Sequence, residues 1–163
     1  MDERERQVYS ALERLGIPWQ RYEHPPVFTV EQAEEHWKPI AATHCKNLFL
    51  RNQKGTTHYL VVLEHAKRAD LKALASKIGD DRLSFASPER LLKYLGLTAG
   101  AVSPFGLVHP GSRDVRVILD ADLQNAATVA FHPNVNTATI TLSFADFHRF
   151  LDDCGNIVRY VSL

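Results

Sequence analysis

Apolar positions in this chain follow two periods in turn, and the switches between them mark out the elements. Val8, Ala11, Leu12 and Leu15 recur at helical spacing and predict a helix over residues 3–15, with Gly16 as its stop. From Ile17 to Tyr22 apolar and polar side chains alternate, which predicts a strand; Pro18 suits a strand that begins at an edge. His24-Pro25-Pro26 is a stiff extended connector. Thr29 and Gln32 have capping-box spacing and open a short helix from Val30 to Trp37, which Pro39 ends.

The first long strand signal is Lys46 to Arg51, and Thr57 to Leu63 is the second. The turn Asn52-Gln53-Lys54-Gly55 joins them as a hairpin. Asp70 caps a helix to Ile78 that carries Leu71, Leu74, Ala75 and Ile78 on one face. Leu83-Ser84-Phe85 is a short strand, and Ser87-Pro88 forms an N-cap and first-turn pair for a helix to Leu95. Beyond the loop 100–106, strands are predicted at Phe105–Val108, Val115–Leu119, Thr128–Phe131 and Thr137–Leu142, with one helical turn at Asp120–Gln124. Ser143 caps a last helix to Cys154 that buries Phe144, Phe147, Phe150 and Leu151, and Ile157–Val161 is a final strand. Helices fall between hairpin-connected strands without regular βαβ alternation. The expected fold class is therefore α+β: one domain, residues 1–163, with flanking helices on a mixed, mainly antiparallel sheet.

Composition narrows the class of protein. Apolar residues at 45% and charged residues at 23% are ordinary for a globular domain and argue against disorder. No apolar run is long enough for a membrane span, and the charged start Met1-Asp2-Glu3-Arg4-Glu5-Arg6 lacks the apolar core of a signal peptide. The expected location is the cytoplasm. Two cysteines, Cys45 and Cys154, make no disulfide framework and no C-x-x-C motif. The formal net charge is zero, which argues against sequence-blind DNA binding. A local basic rim from Arg51, Lys54, Lys67, Arg68, Lys72 and Lys77 remains compatible with holding one RNA end.

Polar groups concentrate in three loops beside strands. The first holds His44, Cys45, Lys46 and Asn47, with the lysine at the mouth of a strand, an unusual place for a purely structural ammonium. The second is Gly100 to Gly106, and the third is His132 to Asn136. Their chemistry is complementary. Lys46 offers a cation for a phosphate or a developing oxyanion. Gly100 lets backbone groups approach a substrate closely. His132 and Asn134, held by Pro133, provide donors and acceptors. The set suits cleavage of an acyl ester, provided that the later two loops converge on Lys46.

Five ordered motifs carry a resemblance. They are His24-Pro25-Pro26-Val27-Phe28-Thr29-Val30, Lys46-Asn47-Leu48-Phe49-Leu50, Arg82-Leu83-Ser84-Phe85-Ala86-Ser87, Gly100-Ala101-Val102-Ser103-Pro104-Phe105-Gly106-Leu107, and Phe131 through Thr139. In this order they resemble the prolyl-tRNA editing family, the YbaK/ProX group, which is similar to the insertion domain of bacterial prolyl-tRNA synthetases. The resemblance implies hydrolysis of mischarged tRNA(Pro), carrying alanine in the ProX type and cysteine in the YbaK type. It implies no cofactor and no metal. The implied partners are the acceptor end of tRNA and prolyl-tRNA synthetase, with no membrane and no DNA. Carried over residue by residue, it makes Lys46, Asn47 and Gly100 catalytic. It makes His132, Phe28, Val30, Ser103, Pro104 and Asn134 substrate contacts, with Phe28 and Val30 as pocket walls beside His132. The chain has Cys45 where relatives often have threonine, and Trp37-Lys38-Pro39-Ile40-Ala41 lacks a glycine turn before the lysine. Steric exclusion by a second, smaller site fits the task, since a pocket built for proline rejects alanine poorly. No strong general base is evident, which leaves a substrate hydroxyl to help activate water.

Three other readings compete. Cys45 beside Lys46 is a possible thiol nucleophile, although strand alternation directs the two to opposite faces. His24, His36, His44 and Cys45 are metal-ligating types, but their spacing matches no zinc pattern. A non-catalytic module that binds tRNA or a synthetase is the third.

Overall fold

The computed structural model describes residues 1–27 and 30–163, the side chain of Val30 excepted. Five α-helices are described: α1 (Glu3–Arg14), α2 (Val30–Trp37), α3 (Leu71–Ile78), α4 (Pro88–Leu95) and α5 (Phe144–Cys154). Eight strands are described: β1 (Gln20–Glu23), β2 (Thr43–Arg51), β3 (His58–Glu64), β4 (Ser84–Phe85), β5 (Arg116–Asp120), β6 (Thr128–Phe131), β7 (Ala138–Ser143) and β8 (Val158–Val161). They form one sheet in the order β1-β7-β6-β2-β3-β5-β8, with β4 paired to β2. Four of the described pairings are antiparallel and three parallel, so the mixed α+β sheet expected from the sequence is present.

Local capping chemistry sets the helix ends. The carboxylate of Asp70 accepts from Ala73 N–H, and the hydroxyls of Ser87 and Ser143 accept from Arg90 and Asp146 N–H. α1 stops in a Schellman turn: Gly16 N–H donates to Glu13 O and Ile17 N–H to Leu12 O. That turn consumes Ile17, so β1 starts at Gln20, three residues later than alternation suggested. The capping residue expected for α2, Thr29, lies outside the described residues.

The sheet has two unlike faces. Cys45, Phe49, Leu60, Val62, Val117, Leu119, Val129, Phe131, Ile140 and Leu142 point to the main core, where α1, α4 and α5 pack. Leu50, Tyr59, Val61, Leu63, Ile118 and Val161 point the other way, against Leu74 and Ala75 of α3. On this second face Trp37 of α2 stacks on His44 and meets His65 edge-on. α2 therefore covers one part of the second face and α3 another.

Two sequence expectations are corrected. Residues 104–108 form a 3₁₀ helix rather than a strand. Pro104 supplies no N–H, the Ser103 hydroxyl caps the turn by accepting from Phe105 N–H at 3.1 Å, and Phe105, Gly106 and Leu107 are all buried without alternation. Lys46 is the fourth residue of β2, not its mouth. The strand starts at Thr43 because Thr43 and His44 pair with Val129 and Ala130 of β6. His44 tolerates its burial by stacking on Trp37 and sharing a hydrogen bond with Ile40 O.

Candidate functional site

β2 changes partner along one edge. Its first residues pair with β6, and Leu50 and Arg51 pair with β4, while β3 runs continuously along the other edge. Between His44 and Phe49 no strand lies on the first edge among the described residues. Lys46, Asn47 and Leu48 occupy that interval. The register Lys46↔Leu63 puts the lysine on the second face, and Asn47↔Val62 puts the asparagine on the core face. The two neighbours therefore do not act side by side.

Lys46 is half-buried, and its side chain makes no hydrogen bond or ion pair among the described residues. An ammonium carried in mid-strand without a carboxylate is available to a ligand anion. His132 is the first residue beyond β6, which parts from β2 after the pair His44↔Ala130. The His132 ring shares a 2.9 Å hydrogen bond with Ala138 O. A carbonyl only accepts, so Nδ1 carries the hydrogen and Nε2 is left as an acceptor when the ring is neutral. Burial pushes the His132 pKa below its ordinary value, outweighing the Ala138 carbonyl, which pulls it up. His24 lies 6.0 Å away, ring centre to ring centre, and stacks on His36 of α2 at 5.3 Å. Its Nδ1 faces Pro25 O at 2.9 Å and its Nε2 faces Thr139 Oγ1 at 3.0 Å.

The other two loops meet each other. Gly100, Thr98, Asn134, Val135, Asn136 and Thr137, with Asp2 and Arg4, line a cleft of about 370 Å³. A Cβ added at Gly100 meets nothing nearer than Asn136 Nδ2 at 3.6 Å. Neither packing nor a positive φ requires a glycine there, so the missing side chain keeps cleft space open. The 3₁₀ turn Ala99–Ala101 also leaves its first N–H groups without intrahelical acceptors. Asn134 is the one non-glycine residue with positive φ among the described residues, at 64°. Its Nδ2 donates to Phe105 O at 3.2 Å, while its Oδ1 is buried without a partner, as is Asn47 Oδ1.

Sequence reasoning expected both later loops to converge on Lys46. The structure unites Gly100 with Asn134 and Asn136; Lys46 does not line that cleft, and no described strand pairing joins it to His132. Ser103 and Pro104, expected to touch substrate, are buried and form the cap and first residue of a 3₁₀ helix. Their burial and this cap hold the loop in place. Phe28, expected as a pocket wall, lies outside the described residues, as does the side chain of Val30.

The competing chemistries lose their geometry. Cys45 lies in the main core, and burial, with Asp120 and Glu64 adding to it, pushes its thiol up to about 12. A thiol that holds its proton so firmly is a poor nucleophile. Among the described residues no three His, Cys, Asp or Glu side chains are grouped to hold a metal; His36 stacks on His24, whereas His44 stacks on Trp37. The basic rim is partly spent: Lys67 binds Asp120 and Asp122, Lys77 binds Ser162 O, and Arg51 binds Asn52 O and Gln53 O. Sequence reasoning missed the aromatic cover from Trp37 and the His24–His132 pair, since neither contact is local. No helix among the described residues is long and apolar enough to cross a membrane.

Residues 24–150 match the family model of the aminoacyl-tRNA editing domain. The chain is 44% identical over 156 residues to prolyl-tRNA editing protein ProX of Acetoanaerobium sticklandii, covering 96% of this chain and 95% of that protein. It is 34% identical over 158 residues to prolyl-tRNA synthetase associated domain-containing protein 1 of Bos taurus, covering 92% of each. Multifunctional Ser/Thr-tRNA deacylase ProXp-y of Escherichia coli strain K12 matches over 93 residues at 33%, covering 56% of this chain and 53% of that protein. A solved structure described as a candidate trans-editing enzyme for prolyl-tRNA synthetase superposes with a TM-score of 0.75 at 24% identity, over 100% of this chain and 99% of that one, which shows the fold.

Proposed function

The chain belongs to the aminoacyl-tRNA editing domain family, and on that premise we propose that it is a trans-acting deacylase whose substrate is alanyl-tRNA(Pro). The enzyme class, an aminoacyl-tRNA hydrolase, follows from the family. The choice of alanine is supported by the near full-length similarity to a prolyl-tRNA editing protein. The observation that carries the site is Lys46, an ammonium without a partner among the described residues, in the interval of β2 that β4 and β6 leave open.

In this reading Lys46 binds the phosphate or ribose of the terminal nucleotide, which brings the ester to the sheet edge that β4 and β6 leave open. Water adds to the ester carbonyl, the acyl–oxygen bond breaks, and the terminal ribose hydroxyl leaves with a proton. The open N–H groups around Gly100 are donors suited to a tetrahedral oxyanion. Asn47 supports β2 from the core side. A neutral His132 presents Nε2 as an acceptor, and its bulk narrows the site against groups larger than alanine. Prolyl-tRNA synthetase is the natural source of the mischarged tRNA and a plausible docking partner.

The test is multiple-turnover deacylation of tRNA(Pro) charged separately with alanine, cysteine, serine and proline. Fast release of alanine with proline left intact is expected. Preference for cysteine moves the enzyme to the YbaK type, and hydrolysis of none defeats the catalytic reading. A second specificity, toward serine esters, is tested by the same panel.

A further inference from the structure

Phe85 is the unexplained member of the Arg82–Ser87 motif. It is a large apolar side chain left 63% exposed, on a two-residue strand whose neighbour Leu83 is buried. The pairing Leu50↔Phe85 fixes its face: Phe85 lies with Leu50, Leu48 and Lys46 on the second face of the sheet. Four residues of β2 separate Lys46 from Leu50, about 13 Å at strand rise, and one strand spacing of about 4.8 Å reaches Phe85. The separation is thus ~14 Å, a span that a few nucleotides of an unpaired strand cover, at ~3.4 Å each when stacked and more when extended. That is the scale of the unpaired 3′ end of a tRNA.

Charge on the segment leading into β4 and on α3 suits the same ligand. Lys72 and Arg82 are exposed and make no ion pair or hydrogen bond among the described residues. They line a surface cavity of about 640 Å³ with Leu71, Leu83, Asp80 and Asp81. Both carboxylates there already accept hydrogen bonds: Asp80 from Tyr59 and from Asp81 N–H, Asp81 from Gln53 N–H. The two cations are left for phosphates. Arg82 lies three residues before Phe85, on the segment that leads into β4, and single-stranded nucleic acid pairs exposed aromatics with neighbouring cations, the base on the ring and the backbone on the charge.

We propose that Phe85 is a stacking platform for an unpaired nucleobase of the tRNA acceptor end, upstream of the terminal nucleotide held at Lys46. The inference rests on the editing reading of Lys46. It adds a second anchor on the same face, which fixes the direction in which the 3′ end crosses the sheet: from β4 toward the open edge of β2.

The test uses the whole protein and two esters: tRNA(Pro) charged with alanine, and 3′-O-alanyl adenosine, which has no upstream base. Phe85→Ala is expected to raise KM for alanyl-tRNA(Pro) by roughly 10- to 100-fold with little change in kcat. The defect is expected only on the substrate that has an upstream base. Phe85→Trp restores KM, whereas Phe85→Leu, apolar but without a π face, does not. Unchanged KM in Phe85→Ala overturns the proposal, and so does an equal defect on both esters. A defect seen only when prolyl-tRNA synthetase is present assigns the surface to a protein partner and also overturns it. Binding of uncharged tRNA(Pro) gives Phe85 a readout independent of hydrolysis: the same weakening is expected, and unaltered affinity refutes the platform. Failure of the editing reading looks different, because then Lys46→Ala hydrolyses both esters like the wild type.

Discussion

His24 and His132 face each other across 6.0 Å with their planes inclined by 58°, and each ring turns its Nδ1 to a backbone carbonyl, Pro25 O and Ala138 O. The two rings are held from behind, so their orientation does not depend on a ligand. What differs is the front: His24 Nε2 meets the Thr139 hydroxyl, and His132 Nε2 has no partner among the described residues.

The first prediction concerns that open nitrogen. Burial holds the His132 pKa below its ordinary value, so the imidazole is neutral at pH 7. Deacylation is expected to be flat through neutral pH and to fall only below the usual imidazole range, as the ring gains a proton. A kcat/KM profile from pH 5 to 8 on alanyl-tRNA(Pro) checks this; a fall already centred at pH 7 contradicts it.

Lys46→Ala is expected to lower kcat/KM by about 100-fold or more, as loss of a charged contact in a transition state does. Stability should change by no more than about 0.5 kcal/mol, because the side chain makes no described hydrogen bond or ion pair. Urea unfolding beside the kinetics separates the two effects. A variant as active as the wild type removes Lys46 from the reaction.

Gly100→Ala should fold normally, since the new methyl has its nearest neighbour at 3.6 Å. It should nevertheless cost activity, on the order of 10-fold (~1.4 kcal/mol), by occupying cleft space. An unaltered melting temperature with reduced kcat/KM is the expected result. Undiminished kcat/KM shows that no substrate atom approaches Gly100.

Acid stability has a named source. Burial, with Arg90, Arg51 and Lys93 adding to it, lowers the His58 pKa to about 4, and burial lowers that of His44 as well. A folded pKa below the unfolded one means that the unfolded chain binds more protons between the two values. The stabilisation is complete above about pH 6.5 and is lost as pH falls toward the folded pKa, by on the order of 1–3 kcal/mol for His58. His58→Gln, which does not titrate, should flatten the fall in urea midpoint between pH 7 and pH 4. A slope identical to wild type excludes His58 as its source.

Neither cysteine should react readily in the folded state. Burial raises both thiols to about 12. An aromatic disulfide reagent at pH 8 is expected to label Cys45 only on unfolding, and Cys45→Ser should retain deacylation. Loss of activity in Cys45→Ser, with folding intact, would revive a thiol mechanism.

Local chemistry was legible in the sequence where one residue decides the outcome. Asp70, Ser87 and Ser143 announce helix starts because a short polar side chain reaches its own N–H groups within three residues. Alternation recovered the β2–β3 hairpin and the faces of Cys45 and Lys46. Long-range pairing was hidden. That β3, β5 and β8 run parallel depends on crossovers through distant segments, and the early start of β2 depends on Val129 and Ala130, some eighty residues on. The 3₁₀ helix at Pro104 was misread because three consecutive buried residues look the same in a strand and in a tight turn. For the site, residue types were readable and their grouping was not: Lys46 and Asn47 are adjacent in sequence and opposed in space.

The change of partner along β2 also bears on the proposed selection by size. The open interval is bounded by paired backbone at both ends and by β3 throughout its length. Strands held in this way are among the last parts of a domain to exchange their amide hydrogens. A gauge that measures one methyl group against a larger ring loses its calibration if its jaws breathe. In the proposed reading, a size gauge set into a strand held along one whole edge and at both ends of the other discriminates by fixed dimension.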